Sequence, residues 1–322
     1  MKRALPHSLA CSRRRSAAAF NQFRLTLMGS WRGKIVAASC AAGMAFVTGE
    51  PDAAAQQRTV AAMSAVQALP CGGAEIARGG AGIALDGGNF QFGDGRTIHL
   101  AGIEVPMSAV ARTFEGPGGA AAKAELSRIT AGAQVVLRQA AVKTDRYGRV
   151  VAYAETMRGE AWRSVEADLT AAGLARVADD VGSRACAAVL LGAETAARKA
   201  KIGLWADPYY DPLRADDPAR IVAERGRFAL VEGDVVSVHE SGATLYLNFG
   251  RRWSRDFAVT IRKRNKTRFA AAGIDLKALA GRPVQVRGWI EARAATGGEA
   301  AYWRAPWIEA TYPAQIQLAD HD

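Results

Sequence analysis

Thr144-Asp145-Arg146-Tyr147-Gly148-Arg149-Val150-Val151-Ala152-Tyr153 reads as a turn that feeds a half-buried strand. The turn sets a guanidinium where the chain re-enters a sheet. Arg149 keeps its charge at any ordinary pH, and its planar fork of donors matches phosphate oxygens. The same spacing also suits a plainer role, in which Asp145 and Arg149 only close a surface turn. The flanking segments bear on that choice.

Upstream, Ile83 to Ile103 is strand-like. Phe90-Gln91-Phe92 alternates, Asp94-Gly95 signals a two-residue hairpin, and Arg96-Thr97-Ile98-His99-Leu100 alternates again. Gly116–Gly119 reads as a loop, followed by a helix carrying Leu126 and Ile129. Gln134–Gln139 and Val150–Ala154 read as further strands. Ser164 opens a helix that stops at Gly173, and a second helix runs from Arg184 to a stop at Gly203, with Leu204-Trp205 as a hydrophobic plug. The expected unit is mainly β with α: a small barrel of at most five strands with helices packed on it.

A Pro- and Asp-rich connector follows, containing Asp207-Pro208 and Asp216-Asp217-Pro218. Beyond Arg225 the runs Phe228–Val238, Thr244–Phe249, Phe257–Ile261, Val284–Ile290 and Trp307–Ala310 read as strands. A helical piece near Lys266–Leu279 lies between the third and fourth, which suggests a second, smaller OB-like barrel. The expected organisation is an export segment (1–55), a linker (56–70), a first barrel (71–207), a connector (208–224) and a basic OB-like domain (225–320).

The 322 residues are enough for two cores, and 49% hydrophobic with 23% charged residues argues against wholesale disorder. The formal charge is +11. Residues 1–55 carry eight Lys/Arg against Glu50 and Asp52; without them 34 basic and 29 acidic residues remain, a balance of +5. That is a moderately basic surface, compatible with a polyanionic partner. Arg32 and Lys34 precede a charge-free run from Ile35 to Val47, and Ala53-Ala54-Ala55 offers a small-residue cleavage site. The run is short for a bilayer-spanning helix. Met28 is an alternative start to Met1, and an uncleaved anchor is the competing interpretation. The expectation is a periplasmic or secreted protein with no stable membrane association after cleavage. Cys11 and Cys40 would leave with the signal, so Cys71 and Cys186 remain to form a structural disulfide.

With these elements in place, residues 83–205 resemble the staphylococcal-nuclease (thermonuclease-like) family. Ile98–Pro106 resembles its strand and loop ending in Pro. Gly116-Pro117 precedes the first helix, Thr144–Tyr153 resembles the arginine turn, Gly173–Val177 a mid-domain signature, and Ala196–Trp205 the closing helix and tryptophan. The resemblance implies a five-stranded OB barrel with three helices, and calcium-dependent phosphodiester hydrolysis of DNA or RNA. In that chemistry carboxylates hold the cation, a glutamate handles the attacking water, and two arginines neutralise developing charge.

Carried over residue by residue, the second arginine is Arg149. One metal-binding aspartate falls on Glu104. The other belongs to a stretch that here reads Asp86-Gly87-Gly88-Asn89, so its ligand position is Gly88. The first arginine becomes His99, and the water-handling glutamate becomes Met107. The resemblance therefore implies an impaired nuclease. Its remaining candidates are Arg149, Glu104 and His99 as catalytic groups, and Glu104 and Asp86 as metal ligands. Asp86 would stand in for the missing carboxylate, and Glu115 could approach the water.

The second domain carries a basic stripe. Arg251, Arg252, Arg255, Arg262, Lys263, Arg264, Lys266 and Arg268 face only Asp256, with Phe249, Trp253, Phe257 and Phe269 interleaved. OB folds bind single strands with such a pairing of cationic groove and aromatic platforms. Strand alternation sends some of those aromatics inward, and Trp253, in a loop, is the best exposed candidate. Arg251, Arg252, Trp253, Arg262, Lys263 and Arg264 are the expected nucleic-acid contacts. The alternative function is an envelope scaffold in which both barrels dock other proteins.

Overall fold

The structure is a computed structural model that describes residues 71–106, 118–292 and 305–319. The expected export segment, Cys11, Cys40, Met107, Glu115 and the Gly116-Pro117 landmark lie outside the described residues.

The first barrel is built from β1 (Glu75–Ala84), β2 (Asn89–Phe92), β3 (Thr97–Leu100), β5 (Gln134–Thr144) and β6 (Val150–Arg158). β1, β2 and β3 form an antiparallel meander. β3 pairs parallel with β6, β6 antiparallel with β5, and β5 antiparallel with β1, which closes the circuit. The short strands β4 (Ile103–Glu104) and β8 (Arg176–Val177) form a separate pair, and β7 (Ala161–Ser164) extends β6. Helix α1 (Gly119–Thr130) lies between β4 and β5, α2 (Val165–Ala171) follows β7, and α3 (Arg184–Lys199) follows β8. Ser164 and Ser183 cap α2 and α3 through their side chains, as helix N-termini require.

The barrel starts earlier than the alternation at Ile83 suggests. β1 reads EIARGGAGIA, and its glycines disguise it as a loop. They have a packing reason. A Cβ at Gly82 would stand 2.9 Å from the Gln91 carbonyl oxygen, and one at Gly79 would stand 3.1 Å from the Phe92 ring. The register also shifts between Ala81 and Ala84, a bulge that lets the strand bend around the barrel.

The connector is more ordered than its Pro and Asp content suggests. It contributes β9 (Leu213–Arg214), which pairs parallel with β10 (Phe228–Asp234), and the short helix α4 (Pro218–Ala223). The second barrel then repeats the path of the first. β10 bends after Asp234 into β11 (Ser237–Ser241), which pairs antiparallel with β12 (Thr244–Asn248), and β12 pairs with β13 (Ala258–Arg262). α5 (Lys266–Ala271) precedes β14 (Pro283–Trp289), which returns to β10. β15 (Trp307–Glu309) lies parallel to β13 and meets Glu291 beyond β14 in an antiparallel bridge, completing the ring. β16 (Ile316–Leu318) adds to β14 on its outer edge. The two halves share an OB-type circuit without sharing a sequence repeat.

Each barrel encloses its own apolar cluster. Phe90, Ile98, Leu100, Leu126, Leu137 and Leu169 fill the first; Val231, Leu247, Phe257, Val259, Phe269 and Val286 fill the second. A third cluster, with Leu204, Trp205, Tyr210 and Phe228, joins the end of the first barrel's helices to the start of the second barrel. Among the described residues no helix is long and apolar enough to cross a membrane.

Cys71 and Cys186 form a disulfide that joins the segment before β1 to the first turn of α3. The pairing expected from the sequence is therefore present.

Candidate nucleic-acid interface

Ile98 and Leu100 point into the first barrel, so His99 between them faces outward. His99 lies opposite Asn89 on β2 and opposite Val151 on β6, two residues beyond Arg149. A polar chain runs across this face. Asp145 accepts from Arg149 Nε at 2.6 Å and also from the backbone N–H groups of Tyr147 and Arg149. Arg149 Nη1 donates to Asn89 Oδ1 at 2.8 Å, and Asn89 Nδ2 donates to both carboxylate oxygens of Asp86 at 2.8 Å. His99 Nδ1 lies 2.9 Å from the same Asn89 oxygen. Tyr147 stacks under the Arg149 guanidinium at 5.2 Å.

The plainer role expected of the Asp145–Arg149 pair is present. Asp145 closes the turn, and in doing so it aims the guanidinium at Asn89. Asn89 is the residue that sequence reasoning passed over. It is 7% exposed, yet it links Asp86, His99 and Arg149. The only signal available in the sequence was its position at the end of the Asp86–Asn89 stretch.

Glu104 is not among these hydrogen-bonded partners. It lies opposite Arg176 in the β4–β8 pair, and its charged neighbours are Arg176, Asp179 and Asp180. Burial pushes its pKa up to about 8, against the pull of Arg176, so the carboxyl is largely protonated at neutral pH. Asp86 is already engaged by Asn89 and by the Gly88 N–H at 2.8 Å. Val105, not Glu104, packs over Gly88. Among the described residues no three His, Cys, Asp or Glu side chains gather as a metal donor set. Asp86 and Glu104, the pair expected to hold calcium, are thus not joined by a third such side chain among the described residues.

Buried carboxyls give the protein a pH signature. Burial raises Glu166 to about 7 and Asp179 to about 6, in the same direction as Glu104. A carboxyl whose folded pKa lies above its unfolded value stabilises the fold below the unfolded pKa, and that contribution is lost as pH rises through the folded value. The thermal midpoint is therefore expected to fall between about pH 5 and pH 8. Glu166→Gln should flatten that decline, measured by circular dichroism at constant ionic strength. A midpoint that rises across this window would contradict the assignment.

On the second barrel the outward faces of β11, β12, β13 and β15 line a broad open groove of about 1440 Å³, larger than the usual ~300–1,000 Å³ of small-molecule sites. Tyr246, Thr260 and Glu309 lie side by side across it in register, and Trp253, His239 and Arg251 stand along it. Trp253 is 81% exposed, whereas Phe249, Phe257 and Phe269 are buried. The expected division of the aromatics is therefore observed.

The basic stripe is divided too. Arg251, Trp253 and Arg262 line the groove; Arg252, Lys263 and Arg264 do not. Arg262 pairs with Glu309 at 3.2 Å, while Lys263 and Lys266 both pair with Glu240 on β11. Arg268 stacks on Tyr312 at 4.8 Å. The two candidate surfaces occupy equivalent strands of the shared circuit: β2, β3 and β6 in one barrel, β12, β13 and β15 in the other.

A closed OB-type barrel with three packed helices, carrying an arginine turn on its outer face, defines a nuclease-like domain. Residues 97–207, from β3 onward, match the model of the staphylococcal nuclease homologue family and form a domain like those of that family. The comparison with curated proteins returned no match. A domain of this family points to a nuclease-type or nucleic-acid-binding function.

Proposed function

We propose that this is an exported protein that binds nucleic acid. The first barrel would contact phosphate through Arg149, and the second would hold a single strand along its groove. The observation that carries this reading is Trp253, a large aromatic left 81% exposed beside Arg251 on the outer face of an OB-type barrel. An exposed indole costs solubility and gains nothing from the core, whereas it provides a stacking platform for any base. Tyr246 and Trp307 extend the aromatic character of the groove. Calcium-dependent hydrolysis is not part of this reading, because Asp86 is engaged by Asn89 and Gly88 and burial holds the Glu104 carboxyl largely protonated. Export is supported by the Cys71–Cys186 disulfide, which suits an oxidising compartment.

Fluorescence anisotropy with labelled single-stranded DNA and RNA oligonucleotides tests the proposal. Trp253→Ala is expected to weaken binding about 5- to 150-fold, the equivalent of the ~1–3 kcal/mol that one stacked base supplies. Arg149→Ala should also weaken binding. Affinity should fall steeply from 50 to 200 mM salt, roughly in proportion to the phosphates contacted. Binding that ignores both salt and Trp253 would refute the reading.

A further inference from the structure

We infer that His99 is a proton acceptor for metal-free cleavage of RNA at the Arg149 site. This rests on the reading that Arg149 contacts a nucleic-acid phosphate, and it adds a substrate class and a reaction.

The hydrogen-bond chain leaves His99 a single role. Asp86 accepts at both oxygens, each from Asn89 Nδ2. Arg149 only donates, and it gives Nη1 to Asn89 Oδ1. The amide is thus oriented from both ends. His99 Nδ1 meets that same oxygen at 2.9 Å, so Nδ1 must carry a hydrogen. On the neutral ring Nε2 is then the nitrogen with the free lone pair. Among the described residues no hydrogen bond occupies Nε2. Burial and the positive charge of Arg149 hold the imidazole pKa below its ordinary value, against weaker opposite pulls from Asp145 and Asp86. The ring is therefore neutral near pH 7 and able to take a proton.

In metal-free cleavage the substrate brings its own nucleophile, and RNA does. The ribose 2′-oxygen attacks the adjacent phosphorus as its proton passes to His99 Nε2. The O2′–P bond forms and the P–O5′ bond breaks. The leaving 5′-oxygen takes a proton from water, and the hydroxide so formed recovers the proton from the imidazolium. Arg149, fixed by Asp145 and Asn89 next to His99, offsets the charge that builds on the phosphate oxygens. The products are a 2′,3′-cyclic phosphate and a 5′-hydroxyl. DNA lacks the 2′-hydroxyl and cannot follow this path.

The test uses the full chain, with EDTA present, on RNA and DNA oligonucleotides of one sequence. RNA should be cut to ends that mass spectrometry identifies as 2′,3′-cyclic phosphates, and DNA should stay intact. His99→Gln, with an unchanged thermal midpoint, should lose about 10²-fold or more in rate. The pH–rate profile should rise to a plateau below pH 6.5, and nitrogen NMR of the wild-type ring should show the Nδ1–H tautomer. Cleavage abolished by EDTA, equal cleavage of DNA, an unaffected His99→Gln variant or the opposite tautomer would overturn the inference. So would intact RNA that still binds in an Arg149-dependent way, which leaves the parent reading standing. Binding indifferent to Arg149→Ala would instead remove the phosphate contact on which the inference rests.

Discussion

Arg287→Met is expected to destabilise the protein by about 3–5 kcal/mol, the usual result of leaving one member of a buried ion pair behind. Arg287 on β14 and Glu194 on α3 are each 1% exposed. Arg287 Nη2 reaches Glu194 Oε2 at 2.7 Å and Gln317 Oε1 at 2.9 Å, while Nη1 reaches Glu194 Oε1 and the Val177 carbonyl, both at 3.1 Å. Glu194 Oε1 also accepts the Val177 N–H at 2.9 Å. Remove the guanidinium and a carboxylate sits in an apolar joint with its charge uncompensated. Urea unfolding monitored by tryptophan fluorescence measures the loss. The double variant Arg287→Met/Glu194→Leu should recover most of it, because the pair repays its own desolvation only partly. A single variant within about 1 kcal/mol of wild type would show that water reaches this pair.

The same pair couples the barrels, since Glu194 belongs to the first and Arg287 to the second. Arg176 strengthens the joint by donating to the Phe228 carbonyl at 2.7 Å, as does Arg198, which bonds Gln285 at 2.9 Å. One unfolding transition is expected for wild type, and two for Arg287→Met.

The second large effect concerns the disulfide. Cys71 and Cys186 are separated by 115 residues, so opening the link frees a long loop in the unfolded chain. The chain-entropy model puts the loss at up to about 4–5 kcal/mol. Cys71→Ser/Cys186→Ser, or reduction of the wild type, should lower the urea midpoint accordingly. Reductant should then have no further effect on the double variant. Equal midpoints with and without reductant, once free thiols are confirmed, would show that the native contacts of α3 hold that end without help.

Much of the fold was legible in local pattern. Phe90-Gln91-Phe92 and Thr97–Leu100 alternate because one side of each strand faces a core. Ser164 and Ser183 mark helix starts because their hydroxyls satisfy free backbone N–H groups. β1 was not legible, because its glycines answer to Gln91 and Phe92 on the neighbouring strand and carry no periodicity of their own. The candidate site was partly legible. Arg149 and His99 stand out by type, and Trp253 stands out by its place in a loop. Asn89 does not, since its importance comes from three partners that approach from β3, the turn before β6 and the turn before β2.

The sequence by itself determined two cores of β type, the placing of helices between strands, the disulfide pair and the family of the first barrel. These depend on periodicity, capping and composition, which act over a few residues. Tertiary structure alone decided which polar groups meet. It set Glu104 opposite Arg176 by pairing β4 with β8, and it bound Asn89, His99 and Arg149 into one chain. It also buried Arg287 and Gln285, which alternate with valines on β14 as solvent-facing residues would. The physical reason is that α3 covers the outer face of that strand, and a strand's period shows which residues share a face but not what lies against it.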